Sequence, residues 1–131
     1  MAIPDARSAT VRRAPDASKA SLERSHLALT AALYPDGEAV TAEVLDFDIA
    51  SYGPDYEHAY AMIVEAVEGL VAAVYHDSLT GLDAFIQQRG LTVYPERPST
   101  YRPAAVPSRL FSRPGLILRP VVISIATAAA T

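Results

Sequence analysis

The sequence predicts an α+β domain, in which a small antiparallel sheet of three to four strands packs on one long helix. Three observations predict this class: apolar residues alternate over residues 26–52, a single apolar stripe runs from Tyr56 to Val74, and prolines crowd the chain after residue 94. Alternation is typical of half-buried strands, whereas spacings of three and four are typical of an amphipathic helix. We therefore predict a flexible or disordered N-terminal tail over 1–25, a compact ββ(β)α(α)β domain over 26–96, and a Pro/Arg-rich C-terminal tail over 97–131.

The first predicted strands form a hairpin. Residues 26–34 predict a half-buried strand because four apolar side chains share one face, namely Leu27, Leu29, Ala31 and Leu33. The segment Pro35-Asp36-Gly37-Glu38 has the chemistry of a turn, in which Gly37 can adopt a positive φ. Val40–Phe47 resumes the alternation, so the two strands flank one tight turn.

A long helix is the strongest local signal. Ile49–Tyr52 predicts a short third strand that ends at Gly53-Pro54, and Asp55 is a good N-cap residue for the helix that follows. Gly69 in its interior costs about 1 kcal/mol relative to Ala, so we expect another part of the chain to pack closely there. The apolar stripe, which we expect to cover the hairpin, consists of Tyr56, Tyr60, Ile63, Val67, Leu70 and Val74; the residues expected to face water are Glu57, His58, Glu65 and Glu68.

A second helix and a fourth strand follow. Thr80-Gly81-Leu82-Asp83 fits a capping box, and Gly90 is expected to end the helix. Leu91–Tyr94 then predicts a short strand. The prolines beyond it predict an extended or disordered stretch, to which Leu116–Ile125 can still add an edge strand.

The charges are distributed unevenly along the chain. Residues 26–96 hold twelve acidic side chains and one basic one, whereas residues 97–131 hold five arginines and no acid. A compact acidic block is poorly suited to binding nucleic acid, because phosphates need cations, but it suits a basic protein partner. The arginines of the C-terminal tail have three interpretations: they contact RNA, they contact the acidic block, or, as we expect, they keep the tail soluble.

The composition excludes several classes of chemistry. The chain has no cysteine, which excludes disulfides, thiol nucleophiles and Cys-ligated metals, and fits a reducing cytoplasm. Its N-terminus lacks the apolar run of a secretory signal. Neither a phosphate-binding glycine loop nor a nucleophile elbow occurs, so we predict no enzyme, no catalytic residue and no cofactor. About seventy packable residues give a marginal core, which favours a homo-oligomer or a bound partner.

The middle of the chain resembles the HicB-like antitoxins over about residues 27–94. The similarity lies in Ile49-Ala50-Ser51-Tyr52-Gly53-Pro54-Asp55-Tyr56-Glu57-His58-Ala59 and in the helical repeat from Ile63 to Ala73. The chain departs from the family in Leu45-Asp46-Phe47-Asp48, and residues 97–131 show no DNA-binding pattern. The resemblance implies a protein that neutralises a small, basic, HicA-like RNA-cleaving toxin by covering it.

These arguments select a candidate partner-binding set: Asp46, Phe47, Asp48 and Tyr52, on strand ends that the helix leaves uncovered. Tyr34 and Tyr52 are candidate interface anchors on the open sheet face, since tyrosine is favoured at interfaces. Two other functions stay open. One is a nucleic-acid-binding accessory protein that uses its basic tails, and the other is an RNase H-like, metal-dependent nuclease with Asp46 and Asp48 on one strand face as Mg²⁺ ligands.

Overall fold

A computed structural model describes residues 22–129 and confirms the predicted α+β class. The predicted N-terminal tail lies outside the described residues apart from 22–25. A 3₁₀ turn lies at Ser108–Leu110. The strands are β1 (His26–Asp36), β2 (Ala39–Val44), β3 (Ile49–Gly53), β4 (Thr92–Tyr94) and β5 (Ile117–Ser124), and the helices are α1 (Tyr56–Asp77), α2 (Leu79–Arg89) and α3 (Ile125–Ala129).

The five strands form a sheet in the order β3-β2-β1-β4, and β5 also pairs with β1. The predicted hairpin is confirmed: β1 and β2 pair antiparallel, and Gly37 in the turn has φ 68°. The predicted extent of β2 to Phe47 is wrong, because the strand ends at Val44. Its last ladder bond runs from the Leu45 N–H to the Thr30 carbonyl (2.8 Å), and the Thr30 N–H then donates to the Asp46 carboxylate (2.7 Å). The Asp46 side chain thus accepts the hydrogen bond that a backbone carbonyl of β2 would accept if the strand continued.

Helix α1 begins as predicted and is buried along a shifted stripe. The Asp55 carboxylate accepts the His58 backbone N–H (2.8 Å), which is the predicted N-cap. The helix approaches the end of β3 so closely that a Cβ on Gly53 would lie 2.8 Å from the Ala59 nitrogen. The small Ala59 is the first member of the buried stripe, which consists of Ala59, Ile63, Val67 and Val71, while the predicted Tyr56, Tyr60, Leu70 and Val74 are half-buried. By length and composition alone α1 could cross a membrane, a test that core helices also pass.

Helix α2 is capped by a different residue from the one predicted. The Ser78 hydroxyl accepts the Gly81 N–H at 2.7 Å, so the predicted capping box at Thr80–Asp83 is wrong and those residues lie inside the helix. Serine at this position satisfies a backbone donor two residues earlier than the box would have done. The predicted stop is confirmed, because Gly90 adopts the left-handed conformation with φ 62°.

The chain divides into two compact units, each with its own contacts. Among the described residues, the first contains 29–69 and 102–121, and the second contains 22–28, 70–101 and 122–129. Within the second unit, β4 pairs antiparallel with His26–Ala28, and the Ile125 N–H donates to the Ser25 carbonyl at 3.1 Å. The buried side chains of its described residues include Leu22, Leu27, Val71, Leu82, Ile86, Leu91, Val93, Ile123 and Ile125.

Both faces of β1 are buried. The prediction of a half-buried strand is therefore wrong, since every residue from Leu27 to Tyr34 is buried. The face that carries Ala32 and Tyr34 packs against Leu110, which is 1% exposed, with Val106 and Leu116 beside it. Residues 95–107 contain no helix or strand, as their prolines predict, but the residues that follow form part of the packed structure instead of a free tail.

Gly69 provides a first prediction, because the expected close packing there is absent: nothing lies within 4 Å of a Cβ added at this exposed position. Gly69→Ala should stabilise the protein by about 0.5–1 kcal/mol, since Ala loses less backbone entropy when it enters a helix. Urea denaturation followed by circular dichroism measures the change. Gly90→Ala is the matched control and should destabilise, because its φ of 62° strains any side chain. A less stable Gly69→Ala variant would contradict the prediction.

Candidate protein-binding site

The four predicted site residues do not form one patch. Asp46, Phe47 and Asp48 lie in the turn that precedes β3, whereas Tyr52 lies near the other end of that strand. At about 3.3 Å of rise per residue, Asp48 and Tyr52 are separated by about 13 Å along the strand. Because the turn breaks the strand, Asp46 and Asp48 also lack the common strand face that the nuclease alternative required.

Asp46 has a structural contact that the sequence did not indicate. Its carboxylate accepts the N–H of Thr30, a residue that is 0% exposed. Burial raises the pKa of Asp46, and the hydrogen bond from the Thr30 backbone partly opposes that rise. Phe47 is half-buried and its carbonyl accepts the Ile49 N–H at 3.0 Å, which leaves Asp48 as the exposed member of the turn.

Glu43 of β2 is bound by an arginine from the C-terminal part of the chain. One Glu43 oxygen accepts from the Tyr34 hydroxyl (2.6 Å) and from Arg109 Nη1 (3.1 Å), and the second oxygen accepts from Arg109 Nη2. The bidentate bond from Arg109 holds the pKa of Glu43 below its usual value. The predicted role of Tyr34 as an exposed anchor is wrong: Tyr34 is 5% exposed, and burial together with Glu43 raises its pKa.

Two further arginines of the C-terminal segment make similar contacts. Arg113 lies over the Tyr34 ring at 4.5 Å and within 4.0 Å of Asp36. Arg119 lies over the Tyr60 ring at 3.7 Å and 3.2 Å from a Glu57 carboxylate oxygen. Our expectation that these arginines serve mainly solubility is therefore wrong, and the interpretation in which they contact the acidic block is correct for Arg109, Arg113 and Arg119.

The tyrosines at the start of α1 attach the same segment. The Tyr56 hydroxyl donates to the Gly115 carbonyl and the Tyr60 hydroxyl donates to the Pro120 carbonyl, both at 2.6 Å. Both side chains are therefore half-buried bridges and not the core residues that the spacing predicted. Gly115 has φ 75°, and a Cβ there would lie 2.8 Å from the Tyr56 oxygen, so glycine fits this contact.

A groove remains open beside β3. Its volume is about 470 Å³, and its lining is mostly apolar: Ala39, Ser51, Tyr52, Gly53, Pro54, His58 and Met62. Tyr52 is 71% exposed and Met62 is 45% exposed, which is unusual for large apolar side chains. Tyr52 belonged to the predicted set, whereas Met62 was missed. The available signal for Met62 was its position off the apolar stripe, on the water-facing side of α1.

Three exposed carboxylates lie close in sequence to residues that line this groove. Glu38 precedes Ala39 in the hairpin turn, Asp55 precedes α1, and Glu65 lies one helical turn beyond Met62; all three are exposed. Asp55 also accepts a bond from the His58 ring (2.9 Å), and its hydrogen bonds to His58, the backbone N–H first, lower the pKa of its carboxyl group. Among residues 22–129, no cluster of three or more His, Asp or Glu side chains could hold a metal ion. The site can therefore present an apolar surface with an acidic rim.

Comparisons with known proteins were made at three levels. No protein-family model, curated protein or solved structure matches the chain.

Asp46 provides a test of its structural role. Asp46→Ala should cost about 1–3 kcal/mol, because the buried Thr30 N–H loses its acceptor. Asp46→Asn is the matched control and should cost much less, since the amide oxygen can accept the same bond without a buried charge. Urea denaturation of the two variants measures the difference. Equal costs for the two variants would contradict this assignment.

The bond between Glu43 and Arg109 predicts a pH dependence. The folded pKa of Glu43 lies below its usual value of 4.5, so its stabilising contribution is present above about pH 4.5 and is lost as the pH falls through the folded pKa. Arg109→Gln should therefore lower stability at pH 7 and reduce the loss of stability on acidification. Chemical denaturation at a series of pH values measures both effects. Arg97→Gln, at an exposed position, is the control with the same charge change; identical pH profiles for the two variants would contradict the prediction.

Proposed function

We propose that this chain is a non-catalytic binding protein of the HicB-like antitoxin type, which neutralises a small, basic, RNA-cleaving protein by covering it. One observation carries the proposal. The exposed side chains of Tyr52 and Met62 line an apolar groove in a region where twelve acidic residues accompany one basic residue. An aromatic ring and a flexible thioether are typical anchors of protein interfaces.

The exposed charges support a basic partner. Arg109, Arg113 and Arg119 occupy part of the acidic surface, but other carboxylates stay exposed in the same unit, among them Glu38, Asp48 and Glu65. Charges of this kind at the rim of an interface accelerate encounter with an oppositely charged protein and exclude partners of the same sign. We include in the proposal a cytoplasmic location, a stoichiometric complex without cofactor, and an oligomeric form of the chain.

The two other candidate functions have less support. Three of the five C-terminal arginines bind acidic or aromatic groups of the same chain, so they are poorly available to nucleic acid phosphates. A nuclease centre at Asp46 has little support because this carboxylate accepts the Thr30 N–H in a partly buried position. Neither function is favoured by a specific observation.

The test uses the full chain and first asks whether the adjacent reading frame encodes a small basic protein, which then serves as the partner in the measurements. Isothermal titration should give saturable, stoichiometric binding that weakens between about 0.05 and 0.5 M NaCl, because the attraction is largely between exposed charges. The same addition should inhibit RNA cleavage by the basic protein. The absence of binding at low salt would overturn the proposal.

A pair of variants tests the charge contribution. Asp48→Lys with Glu65→Lys should weaken binding about tenfold or more, since both carboxylates are exposed in the unit that holds the groove. Glu96→Lys is the control, because it changes the charge at an exposed position of the other unit. Equal affinities for the double variant and this control would contradict the electrostatic part of the proposal.

A further inference from the structure

β3 lies at the end of the sheet. Among the described residues it pairs only with β2, from Val40 opposite Gly53 to Val44 opposite Ile49. A strand in this position presents unpaired N–H and C=O groups along its outer edge. These groups can hydrogen-bond to another extended chain.

The composition of β3 does nothing to block such pairing. Proteins usually protect an exposed strand edge with a charged residue, a proline or a bulge. Ile49-Ala50-Ser51-Tyr52-Gly53 contains no charged residue and no proline, and its register with β2 is continuous over all five residues. Five residues are also an ordinary strand length, long enough to pair with another strand.

The groove gives this edge side-chain specificity. Successive residues of a strand face opposite sides, so Tyr52 lies on one side of β3, while Ser51 and Gly53 lie on the other. The register places Tyr52 on the same face as Thr41 and Tyr34. His58 and Met62 of α1 complete the groove. An added strand would therefore lie beside this groove, where its side chains could contact Tyr52 and Met62.

We infer that β3 accepts an extended segment of the basic partner as an additional strand, with uncharged residues opposite β3 and basic residues at both ends. This inference rests on the proposed function, since it specifies how the partner of that proposal binds. Charge complementarity defines the occupant: the neutral strand is flanked by two exposed carboxylates, Asp48 before it and Asp55 after it. Backbone hydrogen bonds would supply affinity, and the flanking pairs would set the register.

The same charges disfavour a second copy of this chain as the occupant. In an antiparallel pair of two β3 strands centred on Ser51, Asp48 of one copy would lie opposite Pro54 of the other, next to Asp55. Like charges in neighbouring positions across two strands are destabilising. A segment with lysine or arginine at both ends would place opposite charges there instead.

A pair of N-methylated peptides tests strand addition on the full chain. The parent probe is a fluorescein-labelled peptide, Lys-Val-Thr-Val-Thr-Val-Lys. One derivative carries N-methyl groups on alternate residues and the other carries them on the intervening residues, so each has one blocked edge. Fluorescence anisotropy should show that one derivative binds as the parent does and that the other binds at least tenfold more weakly. Equal binding of the two derivatives, or no binding of the parent, overturns the inference.

Two variants with equally exposed aromatic residues locate the contact. Tyr52→Ser should weaken binding of the parent peptide about tenfold, whereas Phe111→Ser should leave it unchanged, since both side chains are 71% exposed and only Tyr52 lines the groove. Circular dichroism confirms that both variants are folded. Equal effects of the two substitutions overturn the inference.

The whole partner separates the inference from the proposed function. If the basic protein of the adjacent reading frame binds but the parent peptide does not, strand addition is wrong and the proposed function stands. If the peptide binds with the expected dependence on its edges and the basic protein does not bind, the proposed function is wrong and the strand edge remains a peptide-binding site.

Discussion

The packing of Leu110 against Ala32 and Tyr34 is the contact on which the exposed surface of the sheet depends. It covers the second face of β1, so that a strand which alternates in sequence is buried on both sides. Polar contacts accompany it: the Ala104 N–H donates to the Thr30 hydroxyl at 2.9 Å, and Arg109 binds Glu43. A buried leucine of this kind contributes about 1.5–3 kcal/mol, which exceeds what an exposed ion pair supplies. Burial of Leu110 therefore fixes the position of the segment, and the arginines make their contacts because that segment is already in place.

This packing changes the meaning of the charge distribution. The acidic block and the arginines that follow it could be read as a surface for a partner and a soluble tail. Some acidic residues and some arginines instead pair with each other within the chain. The pairs are Glu43 with Arg109, Asp36 with Arg113, and Glu57 with Arg119. The surface that stays exposed is narrower than the sequence suggests: the outer edge of β3, the groove at Tyr52 and Met62, and carboxylates such as Glu38, Asp48 and Glu65.

Of the two exposed side chains that characterise the candidate site, Tyr52 was predicted from the sequence and Met62 was not. Tyr52 was identified because it ends a predicted short strand just before a predicted helix. Both elements are recognisable from residues that are close together in the sequence. Met62 was missed because a methionine on the polar side of a helix does not disturb the apolar stripe. Asp46 was assigned to a partner because a carboxylate at a strand end usually reaches solvent. Its acceptance of the Thr30 N–H is a contact across 16 residues, which no local pattern records.

The sequence by itself determined the elements whose signals lie within a few residues: the turn at Gly37, the cap at Asp55, the helix from Tyr56, and the stop at Gly90. Backbone geometry and local hydrogen bonds decide such features, so spacing alone predicts them. Only the tertiary structure decided which sheet face stays open. Tyr34 and Tyr52 lie on the same face of the sheet and have similar sequence surroundings. Arg109, which binds Glu43 from 66 positions along the chain, belongs to a segment that covers Tyr34 and leaves Tyr52 exposed. Which part of the sheet face is covered depends on where the C-terminal segment packs. Burial of apolar surface selects that place, and local spacing in the sequence does not reveal it.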